Sequence, residues 1–222
     1  MRDMIGLVNR REHVLFAVPA VGSVADLRGK RVGINGLQGS DHRAVLDALR
    51  HGGTEAATVA FLVVGGGQNA RLAAVQSGAV DAAAFQPPVT AQARSLGLRE
   101  LLNVGTVVDQ PTPTTAIVTS RAALAERSEV LRRFLRALAR GVALYREQPA
   151  VAVRGIADFF ALDPAEHAAA LEDTRAHYAD LYANPPAPPI EGYRLLLDEI
   201  AETVPRARDY RLADAIDERL LP

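Results

Sequence analysis

Asp26-Leu-Arg-Gly-Lys-Arg-Val-Gly-Ile-Asn-Gly-Leu-Gln-Gly-Ser-Asp-His-Arg-Ala-Val-Leu-Asp-Ala-Leu-Arg50 reads as strand, glycine turn and helix. Arg31 to Asn35 is short, apolar and β-branched. Gly36 and Gly39 allow a tight turn with positive φ. Ser40 or Asp41 then caps a helix that carries Val45, Leu46 and Leu49 on one face. Such a turn points unpaired helix N–H groups beyond the carboxyl end of the strand. In an open α/β sheet that is where a small ligand binds.

The same rhythm continues on both sides of this stretch. Before it, Val14 to Val18 is a strand-like run and Ser23 to Leu27 a connector with a helical turn. After it, Gly52-Gly53 stops the helix, and Thr58 to Val64 forms a strand that opens into Gly65-Gly66-Gly67. A helix is expected from about 68 to 77, then a strand over Val80 to Phe85. Gln86-Pro87-Pro88 leads into a helix to about Ser95, and Leu98 to Val104 supplies another strand. Strands alternating with helices of this length predict a mostly parallel sheet with crossover helices. Asp109 to Thr114, with two prolines and two threonines, is the clearest break. Thr115 to Thr119 reads as a strand and the remainder as helical. Ser128 and Asp163-Pro164 mark helix starts, and Asn184 to Pro189 is a proline-rich loop. Helices near 191–203 and 211–219 close the chain.

Composition narrows the function classes. The 222 residues, 49% hydrophobic, suffice for one large domain or two small ones. A net charge of −1 favours neither nucleic acid nor an anionic membrane as partner. The absence of cysteine removes disulfides, thiolate metal sites and thiol catalysis. No apolar run reaches the roughly 20 residues that span a bilayer. Val14 to Val21 follows Arg10-Arg11, but it is short and contains Pro19, so it reads as a buried strand and not as a signal peptide. The histidines His13, His42, His51, His167 and His177 lack metal-ligand spacing, and no metal or cofactor is expected.

Several motifs in order resemble the SsuA-like substrate-binding proteins of ABC importers for nitrate, taurine, sulfonates and pyrimidine precursors. They are Asp26 to Ile34, Gly36-Leu-Gln-Gly-Ser40, Arg71-Leu-Ala-Ala-Val-Gln-Ser-Gly-Ala-Val-Asp81 and Phe85-Gln-Pro-Pro88. Thr115 to Thr119, Val130 to Ala137, and Pro149 to Pro164 continue the series. The resemblance implies a periplasmic-binding-protein-like α/β fold of type II, with two lobes and a helical C-terminal region. One lobe would be 1–21 with 112–222, Val14 to Val18 being one of its strands. The other would be 24–108, with hinge crossovers at 20–25 and 109–114. The family's initial "GlF" segment and its leader are not seen, so the chain reads as N-terminally truncated and without a signal peptide. The family setting is periplasmic or lipid-anchored outside the cytoplasm.

Candidate ligand contacts lie at the strand-end turns. Ser40, with the amides of Gly39 and Asp41, is either a plain N-cap or a donor set for an oxyanion. Asp41 would repel an anion, which leaves a zwitterionic or heterocyclic ligand open. Gln68 and Asn69 follow the triple glycine and can donate and accept, or Asn69 simply caps. Gln86 ends a strand, as contact or turn residue. Thr112 and Thr114 sit in the crossover. Neither a phosphate loop nor dinucleotide spacing is present. Arg132, Arg133, Arg136 and Arg140 form a basic stripe, a solvated face or a docking surface for a permease. The expected function is capture of a small polar molecule for an ABC permease by hinge closure, without catalysis, nucleic acid or membrane insertion. The alternatives are an enzyme or an effector-sensing domain on the same fold.

Overall fold

The computed structural model describes residues 2–183, 186–202 and 204–216. Residues 184–185, 203 and 217–219, which the expected loop and the last two expected helices include, lie outside the described residues. The chain forms two compact units, Met1–Arg10 with Gln110–Pro222, and Arg11–Asp109.

The chain opens with β1 (Arg2–Val8) and then enters the Arg11–Asp109 unit at β2 (Val14–Ala17). There follow β3 (Arg31–Ile34), α1 (Ser40–His51), β4 (Ala60–Val63), α2 (Gly67–Gln76) and β5 (Ala82–Phe85). The unit ends with α3 (Val89–Ser95), β6 (Arg99–Asn103) and the single turn α4 (Val104–Val107). Its five-stranded sheet has the order β4-β3-β5-β2-β6.

Alternation along the central strands sorts the core into two layers. Leu15 and Ala17 of β2 join Ala82 and Ala84 of β5 under Ala44, Val45, Ala48 and Leu49 of α1. Val14 and Phe16 join Ala83 and Phe85 on the opposite face, under Leu72 and Val75 of α2 and Val89 and Ala93 of α3. Both faces of β2 and β5 are therefore dry, which is why these strands are wholly apolar and not alternating. The alanines of β5 let helices approach closely.

Two expectations need correction. The Val14 to Val18 strand does not belong with residues 112–222. β2 lies inside the sheet of the Arg11–Asp109 unit, and the chain passes between units at 10–11 rather than within 20–25. The sheet is also mixed. β3 runs parallel to β4 and β5, but β2 is antiparallel to both β5 and β6. Hydrophobic periodicity reports that a run is a buried strand; it says nothing about direction or partner.

The remaining unit holds β7 (Thr115–Thr119), paired antiparallel with β1, then α5 (Arg121–Glu126), α6 (Ser128–Glu147), α7 (Pro149–Phe160), α8 (Ala168–Leu181) and α9 (Ile190–Ala201). Leu135 of α6 is fully buried against Ile117, Leu124, Leu131 and Leu138. Tyr145 stacks edge-on against Tyr182, and burial pushes its phenol well above the ordinary range. Asp163 accepts from the Ala165 and Glu166 N–H groups, so it caps a turn ahead of α8 and not α8 itself. In place of the helix expected near 211–219, the described residues form a 3₁₀ turn at Leu212–Asp214.

Candidate functional site

The carboxyl ends of β3, β4 and β5 and the segment leading into β2 bring one polar cluster together in the Arg11–Asp109 unit. The turn from β3 to α1 is built differently from the glycine pattern. Its left-handed residue is Gln38, at φ 65°, and neither Gly36 nor Gly39 has positive φ. The strain is held locally. The Gln38 N–H donates to Nδ1 of His42 at 3.1 Å, a bond that only an unprotonated nitrogen accepts. Arg43 donates to the Gln38 carbonyl and to its Oε1. His42 is itself buried and meets Phe61 edge-on.

Helix α1 starts on Gly39 as N-cap, with no side-chain capping bond. Ser40 is its first residue and is exposed, so neither Ser40 nor Asp41 is the cap. Asp41 folds inward instead, 5% exposed, and accepts the Asn35 N–H at 2.6 Å. That bond closes the turn into a ring from Asn35 to Asp41. The partner charge comes from α2. Arg71 is 3% exposed, and its Nε lies 3.7 Å from Asp41 Oδ2. Its Nε and Nη1 are buried with no hydrogen-bond acceptor. Burial lowers the Arg71 pKa from its ordinary value, and the charge of Asp41 acts against that shift.

One turn before Arg71 on α2, Gln68 reaches the end of β5. The Gln86 N–H donates to Gln68 Oε1 at 2.6 Å. The Gln86 side-chain amide donates to the Glu12 carboxylate. The α2 entrance needs its glycines, since Gly66 and Gly67 both have positive φ, at 89° and 80°. The N-cap there is Gly66, not Asn69, which is exposed in the first turn.

Gly39, Ser40, Asp41, Gln68 and Gln86 thus gather at one end of one sheet, with Asn69 on the adjoining turn. Thr112 and Thr114 belong to the other unit, where their polar groups are used locally. Their N–H groups donate to the Asn9 and Val8 carbonyls, and their hydroxyls to the Gln110 and Arg10 carbonyls. Two residues were not singled out by sequence reasoning. Glu12 is buried at 6% exposure, and its one signal is a charge placed just before an all-apolar strand. Arg71 stands within a quoted motif, but nothing local marks it as buried.

The family model "NMT1/THI5 like" matches residues 12–152, which is more than half of the chain and includes every residue of this cluster. The chain belongs to the NMT1/THI5-like family. Among solved structures, this family member is similar to the alkanesulfonate-binding protein SsuA from Xanthomonas axonopodis pv. citri bound to MOPS. Identity is 22% and the TM-score 0.70, over 97% of this chain and 73% of that one. It is also similar to the periplasmic aliphatic sulphonate binding protein SsuA from Escherichia coli, at 22% identity and TM-score 0.66, over 93% and 69% of the two chains. The desulfurization enzyme DSZB has the same fold, at 16% identity and TM-score 0.62, over 99% and 77%. These likenesses establish a periplasmic-binding-protein fold for the NMT1/THI5-like chain. No match is found among curated proteins.

Proposed function

We propose that this chain is an extracytoplasmic solute-binding protein that takes up a small oxyanion, such as an alkanesulfonate, at the first turn of α1 and delivers it to the permease of an ABC importer. One observation carries the reading. The first turn of a twelve-residue helix, at the carboxyl end of a parallel strand, has no side-chain cap, and its one acidic residue is folded away and faced by a buried arginine. Free N–H groups at such a helix end, with the dipole behind them, favour an anion. Ser40, exposed at that end, adds a hydroxyl donor. The objection that Asp41 repels an anion is weakened by the buried arginine that faces it.

The fold shared with two sulfonate-binding proteins supports a transport role, and no described helix is long and apolar enough to cross a membrane. A catalytic reading has the fold of DSZB behind it, and it would need a nucleophile other than cysteine. Thermal-shift and calorimetric titration with ethanesulfonate, taurine, nitrate, amino acids and pyrimidines separates these readings. Stabilisation by ethanesulfonate or nitrate, growing with ligand concentration, is expected. Stabilisation by none of them, or turnover of a sulfonate or sulfinate, would overturn the proposal.

A further inference from the structure

A carboxylate in the first turn of a helix draws on the positive end of the dipole and repels an arriving anion. Asp41 occupies that position in α1, and burial places it where water screens its charge poorly. Arg71 stands against it from α2. At 3.7 Å the Nε of Arg71 is within ion-pair reach of Asp41 Oδ2 but beyond a hydrogen bond. Asp41 Oδ2 is instead engaged by the Asn35 N–H. The guanidinium is thus held for its charge, and two of its buried nitrogens, Nε and Nη1, have no acceptor. Leaving buried donors unmade is costly, so a mere packing role would be filled better by an apolar side chain.

We infer that Arg71 is a positioning residue for anion recognition: from α2 it cancels the charge of Asp41, so that the first turn of α1 shows a net positive potential to a ligand Arg71 does not touch. The inference rests on the oxyanion reading of that turn. The other charged groups nearby are engaged elsewhere. His42 and Arg43 turn to Gln38, and Glu12, ahead of β2, bonds Gln86.

The test is calorimetric titration of the full chain with ethanesulfonate at pH 8 and pH 5, for wild type, Arg71→Gln, Arg71→Lys, Asp41→Asn and the double variant Arg71→Gln/Asp41→Asn. An uncompensated buried charge beside the site is expected to weaken binding by roughly tenfold or more in Arg71→Gln at pH 8. The pH 5 arm reports whether that loss depends on carboxylate charge, since protonation of the carboxylate removes the repulsion. Arg71→Lys keeps the charge and stays within about threefold of wild type. The double variant recovers at pH 8, because the carboxamide oxygen that replaces the carboxylate can still accept the Asn35 N–H. Asp41→Asn alone binds ethanesulfonate more tightly at low salt. Wild-type affinity in Arg71→Gln, no recovery in the double variant, or unchanged or weaker binding in Asp41→Asn would overturn the inference. Carbon-13 titration of the Asp41 carboxyl decides it without a ligand, since it should move to higher pH in Arg71→Gln and an unmoved titration refutes the role. If wild type binds no ethanesulfonate, the oxyanion reading falls while this last measurement still judges Arg71.

Discussion

Replacing Gln68 by leucine removes the acceptor for the Gln86 N–H at the end of β5 and leaves that half-buried donor unmade. Such a loss costs about 1–3 kcal/mol. In urea, the loss of dichroism should begin at a lower concentration than in wild type. At this scale the sequence was legible in residue type but not in partner. Glutamines at strand-end turns announce polar business, but whether they face a ligand or each other depends on Gln86 arriving 18 positions later. Asp41 is the sharper case. Its sign looked wrong for an anion site, because the arginine that answers it lies 30 residues downstream on another helix. Gln38 was missed for the opposite reason: glycine usually marks positive φ, and here a histidine and an arginine hold a glutamine there instead.

Elements bring out the division between the two ends of the sheet. At the end remote from the candidate site, Arg31 opens β3 and grips Asp81, just before β5. Its backbone N–H and guanidinium both donate to the Asp81 carboxylate, and the same guanidinium reaches the Gly78 carbonyl. Those bonds hold the Asp81 carboxyl below its ordinary range. A carboxylate depressed in the native state contributes stability above its unfolded pKa of about 4, and that contribution is lost as pH falls through the lower native value. Asp81→Asn should therefore be less stable than wild type near pH 7, with the difference closing at acid pH. The pair is partly exposed, so the gap is small and shrinks in high salt. Thermal melts from pH 7 to pH 2 at two ionic strengths would check it. Helix and strand positions in this region were legible because each is short, apolar and bounded by glycine. The strand β1 was not, because its partner β7 lies more than a hundred residues away.

Across the whole molecule, all the tyrosines, at 145, 178, 182, 193 and 210, fall in the unit that contains Gln110–Pro222, and there is no tryptophan. Tyrosine emission thus follows one unit, whereas the helices seen by far-ultraviolet dichroism belong to both. In Gln68→Leu, the dichroism transition in urea should begin earlier than the tyrosine transition. Coincident curves would mean that the two units unfold as a single cooperative body. The α/β character and the break near 109–114 could be read from pattern and proline content. The assignment of residues 11–21 could not, since which sheet accepts a strand is decided by long-range pairing and not by composition.

The antiparallel strand β2 also carries a consequence for how the protein is made. Both neighbours it must sit between, β5 and β6, are translated more than sixty residues after it. Until they emerge, Val14 to Ala17 is an apolar ribbon with two unsatisfied edges, exposed to association with whatever other strand it meets. This sheet therefore cannot be completed from segments in the order in which they are made: its first strand waits for two later ones.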